Sequence, residues 1–195
     1  MKSYFSKGRL EALSDGVYAI AMTILVLNID VGKMMKNSNG GNLTESLWAM
    51  FPVFYSYVLG FFLLAIFWVT HNKQSRNIKR IDGDYIWINM LALMLISLVP
   101  FSTSLIGDYG EELAAAVFFH TNLLLVGLAY FWLWSYSISH ADLLDSDLDK
   151  KTKKSILYRN LILPIVALVA IGVSFVSPDW SSLAYLSILV VKRWI

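Results

Sequence analysis

Cysteine is absent from the 195 residues, which excludes disulfides, thiolate metal sites and a cysteine nucleophile, and leaves the redox compartment unmarked. Charge is scarce: Asp, Glu, Lys and Arg make up 15% of the chain, where a soluble domain carries about 25%. Apolar residues fill the gap at 57%, and mean hydropathy is +0.58. This balance excludes an ordinary soluble globule and points to an all-α integral membrane protein. A net charge of only +2 gives no basis for nucleic-acid binding. No nucleophile elbow, phosphate loop or His-Glu-x-x-His run is present, so no enzyme class is indicated and no cofactor is implied. Met1 to Arg9 is polar, but the apolar stretch after it lacks a small-residue cleavage site and leads into more spans, so it reads as a retained helix.

What is there is a series of six apolar segments, each near the roughly 20 residues of a spanning helix. They run from Leu10 to Ile29, Leu47 to Thr70, Tyr85 to Leu105, Leu113 to Ser137, Ile156 to Val176 and, shorter, Ser181 to Val191, between Trp180 and Trp194 as interfacial ends. Polar loops separate them: Gly32 to Ser46 with a flexible Asn-Gly-rich tip, a basic His71 to Asp84, an acidic Gly107 to Glu112, Ser139 to Lys154, and a turn at Ser177-Pro178-Asp179. With the N-terminus inside, 14 of the 16 Lys and Arg residues fall on one side, and only Lys33 and Lys36 on the other. The positive-inside rule then predicts six spans with both termini cytoplasmic. One domain, residues 1–195, in a multi-pass cell-membrane protein is the simplest organisation.

The first segment carries the unusual chemistry. Arg9 and Asp15 lie six residues apart at its mouth, Asp15 about 9 Å deeper along the axis. Charges persist at such positions when paired or facing water. Arg9 near the boundary can also snorkel to headgroups. At about 100° per residue, Ala12, Gly16, Ala19 and Thr23 share a narrow face whose small residues permit close helix approach. Ile20, Ile24 and Leu27 form an adjacent bulky stripe. Such a stripe usually faces lipid or a neighbouring helix; its functional alternative is a constriction that gates a pore by dewetting. The second segment ends in Phe67-Trp68-Val69-Thr70-His71 on the side of Asp15. There Trp68 or His71 could bond Asp15 or Ser14, or serve as interfacial side chains.

Arg9-x-x-x-Leu13-Ser14-Asp15-Gly16, Ile20-x-x-Thr23-Ile24-x-x-Leu27 and Phe67-Trp68-x-x-His71 together resemble the transmembrane protein 175 family of potassium channels, in its short prokaryotic form with a single six-helix repeat. The family signature reads Arg-x-x-x-Phe-Ser-Asp, and this chain has Leu13 in place of the phenylalanine. The resemblance implies a homotetramer around a central pore lined by the first helix, embedded in lipid and passing potassium ions. It implies Ile20 as the narrowest ring, Ile24 and Leu27 as further layers, and Thr23 as the match to a threonine linked to selectivity. It also implies that Arg9, Ser14, Asp15, Trp68 and His71 form a buried polar network holding the first helix.

Gly107-Asp108-Tyr109-Gly110 is not a Thr-Val-Gly-Tyr-Gly carbonyl filter, so ion preference would rest on pore radius and partial dehydration, giving moderate potassium preference. A lone intramembrane His120 suggests a polar packing contact, or proton or metal handling. His140 and Asp142 lack a third ligand for zinc. Two alternatives stay open. A small secondary transporter could couple protons through Asp15 and His120, although no inverted repeat or unwound helix pair is visible. An intramembrane enzyme would need paired groups at one depth, and Asp15 and His71 lie near the cytoplasmic side while His120 lies nearer the outer half.

Overall fold

The computed structural model describes residues 6–30 and 42–188. Lys33 and Lys36, on the predicted outer side, and the end of the predicted sixth segment lie outside the described residues. The described chain is helical: α1 (Lys7–Ile24) runs on as a 3-10 turn, Leu25–Asn28. Then come α2 (Leu43–Ala49), α3 (Phe51–Ser75), α4 (Gly83–Ser97), α5 (Val99–Asp108), α6 (Leu113–Ser139), α7 (Lys150–Ser174) and α8 (Pro178–Ser181), the last followed by a 3-10 turn at Ser182–Tyr185.

Among the described residues, five stretches are long and apolar enough to cross a membrane: Lys7–Asn28, Phe51–Ser75, Gly83–Asp108, Leu113–Ser139 and Lys150–Ser174. At 1.5 Å per residue each matches a hydrocarbon core about 30 Å thick. The predicted second span starts later than expected, because the helix breaks at Met50 just ahead of Pro52, whose ring removes an amide donor. The third span is interrupted at Leu98 for the same reason, with Pro100 opening α5. The fifth begins earlier, at Lys150, because the Asp149 side chain accepts a hydrogen bond from the Thr152 amide and caps the helix. Of the predicted sixth span, the described part is α8, the 3-10 turn and a helical Leu186–Ile188. Ser181, Ser182, Tyr185 and Ile188 there are buried.

The core joins all five spans through Tyr18, Leu25, Leu64, Ile96, Phe119, Leu123 and Ala167, among others. The α6–α7 pair packs most extensively. It can do so because Gly127 has no side chain: a Cβ there would lie 2.7 Å from Pro164 Cδ and 2.9 Å from its Cγ. Gly60 similarly lets α3 approach α5, where a Cβ would meet Thr103 at 2.9 Å.

The two basic loops meet at one end of the bundle. Lys79 N and Arg80 N both donate to Leu143 O, at 2.7 and 3.2 Å, and Asp145 N donates to Asn77 O at 3.0 Å. Lys79 Nζ adds an ion pair to Asp145 at 3.7 Å. This joins the 71–84 and 139–154 segments on one side, as the charge distribution predicts. At the opposite end Tyr55 Oη and Ser182 Oγ share a hydrogen bond of 3.1 Å.

Candidate functional site

The first helix has two unlike faces. Ser14, Tyr18, Ala21 and Leu25 recur at helical spacing and are buried, so they are the face it presents to the rest of its own chain. The opposite face is bare: Ile20 is 60% exposed, Leu27 74%, and Ile24 43%, with Thr23 exposed beside them. Ala12, Gly16 and Ala19, the predicted close-approach face, are exposed too, and a Cβ on Gly16 would have nothing within 4 Å. Close helix approach within the chain therefore occurs at Gly60 and Gly127 instead. Thr23 Oγ1 donates back to Ile20 O at 2.9 Å, which fills the donor capacity of that hydroxyl within its own helix turn.

Polar contacts fix the rotation of α1. Trp68 Nε1 on α3 donates to Asp15 Oδ1 at 2.8 Å, a charge-assisted bond across the helix interface. Ser14 Oγ donates to Leu10 O at 2.9 Å and accepts from Asn89 Nδ2 on α4 at 3.3 Å. Glu11 accepts from Ser75 Oγ at 2.6 Å and pairs with Lys7 Nζ at 3.4 Å. Tyr18 Oη is hydrogen-bonded to Tyr130 Oη in the core. At the far end, Asn28 Nδ2 donates to Pro100 O at 3.1 Å.

The five residues expected to form one network separate. Ser14, Asp15 and Trp68 lie in the contacts just described. His71 is buried, but no hydrogen bond joins it to Asp15 or Ser14; its ring lies between those of Tyr18 and Tyr130, with centroids 6.1 and 5.8 Å away. Arg9 is exposed and makes no ion pair with a described residue; five residues of helix turn it away from the packed face on which Ser14 lies. The partners that sequence reasoning missed are Glu11, Tyr18, Ser75, Asn89 and Tyr130. Asn89 is the one with a readable signal, since an amide in the middle of an apolar helix calls for a partner.

His120 makes a separate polar cluster: its Nδ1 shares a hydrogen bond with Tyr185 Oη at 3.0 Å and its Nε2 with Ser181 Oγ at 2.8 Å. Both ring nitrogens are occupied by hydroxyls of the last described segment, so the histidine ties that segment to α6.

A family model described as the endosomal/lysosomal potassium channel TMEM175 matches residues 9–100, which hold α1 from Arg9 onward, its anchors on α3 and α4, and the opening of α5. A potassium channel of Streptomyces collinus is 32% identical over 175 residues, covering 87% of this chain and 83% of the relative. This chain belongs to the TMEM175 family. A second TMEM175-family relative, a potassium channel of Chamaesiphon minutus, is 31% identical and matches over 94% of this chain and 91% of its own. The crystal structure of a lysosomal potassium-selective channel TMEM175 homolog from Chamaesiphon minutus superimposes with a TM-score of 0.80 at 29% identity, covering 96% of this chain and 97% of that one. The TMEM175 of Danio rerio, named an endosomal/lysosomal proton channel, is 25% identical over 88% of this chain, which spans 32% of that longer protein. With its apolar helices, this TMEM175-family chain is a multi-pass membrane protein, in a family of ion channels rather than enzymes.

Proposed function

We propose that this chain forms a homotetrameric channel through which potassium passes down its gradient. The observation that carries the reading is the bare apolar face of α1. A helix whose other face is held by hydrogen bonds from α3 and α4 cannot rotate to hide Ile20, Ile24 and Leu27, so they await something outside the chain. Lipid alone would satisfy an apolar stripe. It would not suit Asp15, whose carboxylate stays exposed on the flank of the same helix despite the bond from Trp68, because charge at the membrane belongs beside water or a partner. Four copies around an axis would enclose a water path bounded by Ile20 as the tightest ring, with Ile24 and Leu27 as further layers and Thr23 alongside. The helix count would be six per subunit with both termini cytoplasmic, and the structural relative named potassium-selective supports the choice of ion.

Ions would cross a constriction of aliphatic side chains that offers no carbonyl cage. Passage requires the ring to wet, and potassium, the more easily dehydrated ion, would be moderately preferred over sodium. Single-channel recording of the purified protein in a planar bilayer with potassium and sodium on opposite sides tests this. Unitary currents are expected, and Ile20→Asn, by wetting the ring, should raise conductance and lower the potassium preference. Unchanged conductance and preference in that variant refute the pore assignment. Saturable net flux without unitary currents would mean a transporter.

A further inference from the structure

The end of the bundle that collects Lys and Arg holds a cleft of about 240 Å³ between α3, α6 and α7. Its wall is apolar where it runs into the span, with Ile66, Ile162 and Leu163, and changes character at the mouth, where Lys73 and Arg159 line it. Both cations are exposed. They stand at one level, because Gln74 Nε2 donates to Asn160 Oδ1 at 2.6 Å and clamps α3 to α7 one residue beyond each of them. Gln74 also lines the cleft, is only 4% exposed, and its Oε1 has no hydrogen-bond partner. A buried amide oxygen in that state favours a ligand that brings a donor.

The shape of this chemistry is specific: an apolar slot opening toward the middle of the membrane, two cations at headgroup level, and one unpaired acceptor beside them. A free anion would use the cations and leave the slot empty. A neutral lipid would fill the slot and ignore the cations. We propose that the cleft is a binding site for an anionic phospholipid with a hydroxylated headgroup: an acyl chain lies along Ile66 and Leu163, the phosphate sits between Lys73 and Arg159, and a headgroup hydroxyl donates to Gln74 Oε1. Basic pockets between spanning helices are a general means of holding lipid phosphates. The site is on the far side of α3 from the Trp68–Asp15 bond, so it stands or falls independently of the pore reading. Because Gln74 is on the helix that anchors α1, lipid occupancy would stiffen the support of the pore-facing helix.

Native mass spectrometry of the full-length protein titrated with dioleoylphosphatidylglycerol and, in parallel, dioleoylphosphatidylcholine tests the proposal. The anionic lipid should bind more tightly, and the Lys73→Gln/Arg159→Gln pair should lose about 30-fold in its affinity while leaving the zwitterionic lipid unaffected. Lys150→Gln/Lys151→Gln removes the same charge at the same end of the bundle but outside the cleft, and should lose less than about threefold. An equal loss in both pairs would mean a diffuse surface field and overturn the site, as would no loss in the first. Displacement of the lipid by millimolar inorganic phosphate would make it a free-anion site and overturn the lipid assignment. If the double variant does not fold, Lys73→Gln alone, at an exposed position, should show about a fivefold loss, and wild-type affinity in it would equally refute the proposal.

Discussion

Deleting the Trp68–Asp15 hydrogen bond tests what holds the first helix in place. A hydrogen bond to a charged group contributes about 1.5–3 kcal/mol. Here the lower end applies, since Trp68 is 38% exposed and Asp15 is exposed as well, so water competes in the isolated subunit. Trp68→Phe should destabilise the folded protein by about 2 kcal/mol, part of it from leaving the carboxylate without a donor. Asp15→Ala removes the same bond and relieves that orphaned charge, so it should destabilise by only about 1–1.5 kcal/mol. Combining the two deletes the bond once, not twice. The double variant should therefore be about 1–1.5 kcal/mol more stable than the sum of the single losses. Reversible unfolding in mixed micelles, followed by circular dichroism at matched detergent fractions, gives the four free energies. A coupling below about 0.3 kcal/mol, the scatter of independent sites, would show that the 2.8 Å contact contributes nothing and that α1 is held by apolar packing alone. Single-channel recording of the same variants separates stability from function. If the bond sets the rotation of α1, Trp68→Phe should disturb conductance at temperatures where the protein stays folded.

Gly127→Ala would place a methyl group 2.7 Å from Pro164 Cδ, and because a proline ring cannot swing aside, the α6–α7 pair must separate, with a loss of about 1–3 kcal/mol in the same unfolding assay. Gly172→Ala, with nothing within 4 Å of the new atom, should instead gain about 0.5–1 kcal/mol from helix propensity; the two outcomes reversed would refute the described helix crossing. His120→Phe leaves the hydroxyls of Ser181 and Tyr185 without the ring nitrogens at 2.8 and 3.0 Å, and faster amide exchange confined to residues 178–188 is expected by hydrogen-exchange mass spectrometry. The Asp149 carboxylate is held below its ordinary pKa, first by the Thr152 side chain and then by the Thr152 amide, so its stabilisation is present above about pH 4 and lost as pH falls through the lowered value. Asp149→Asn keeps a capping oxygen without the charge, and the acid limb of the stability profile below about pH 4 should become shallower; an unchanged limb would show that this cap does not titrate with folding.

Five of the six predicted spans were legible because hydropathy and length alone define them, and the charged loops because lysine and arginine obey one rule of side. Their pairing at one end, through Leu143, Asn77 and Asp145, follows from that rule. The breaks at Met50 and Leu98 were less legible, although Pro52 and Pro100 stand beside them: a run of apolar residues reads as continuous whether or not a proline interrupts it, and the hydropathy window averages over the break. Trp68 as a donor to Asp15 could be anticipated because only a few groups at that depth carry an N–H. The role of His71 could not, since a ring that packs between two tyrosines and one that bonds a carboxylate require the same residue at the same depth. The glycines at 60 and 127 were illegible for a different reason. Their value depends on which helix crosses which, and that is set by long-range packing.

The rotation of α1 illustrates how the polar minority carries information in a membrane helix. Hydropathy would choose wrongly between its faces, for Tyr18 and Ala21 are less apolar than Ile20 and Ile24, yet Tyr18 is 1% exposed and Ile20 60%. In lipid, moreover, apolar surface gains little by moving from a chain-facing to a lipid-facing position, so there is no strong hydrophobic force to orient the helix. What breaks the degeneracy is Ser14, which meets Asn89, and Asp15, which meets Trp68. With those two residues fixed to α4 and α3, the 100° step of the helix puts Ile20, Thr23, Ile24 and Leu27 on the opposite side, away from the chain. Two polar contacts near the mouth of the helix thus determine which side chains, about one and a half to three and a half turns further on, are left for a partner outside the subunit. A single register error there, such as one residue inserted between Asp15 and Ile20, would rotate the whole aliphatic stripe by about 100° into the core and should abolish conductance while leaving the count of membrane spans untouched.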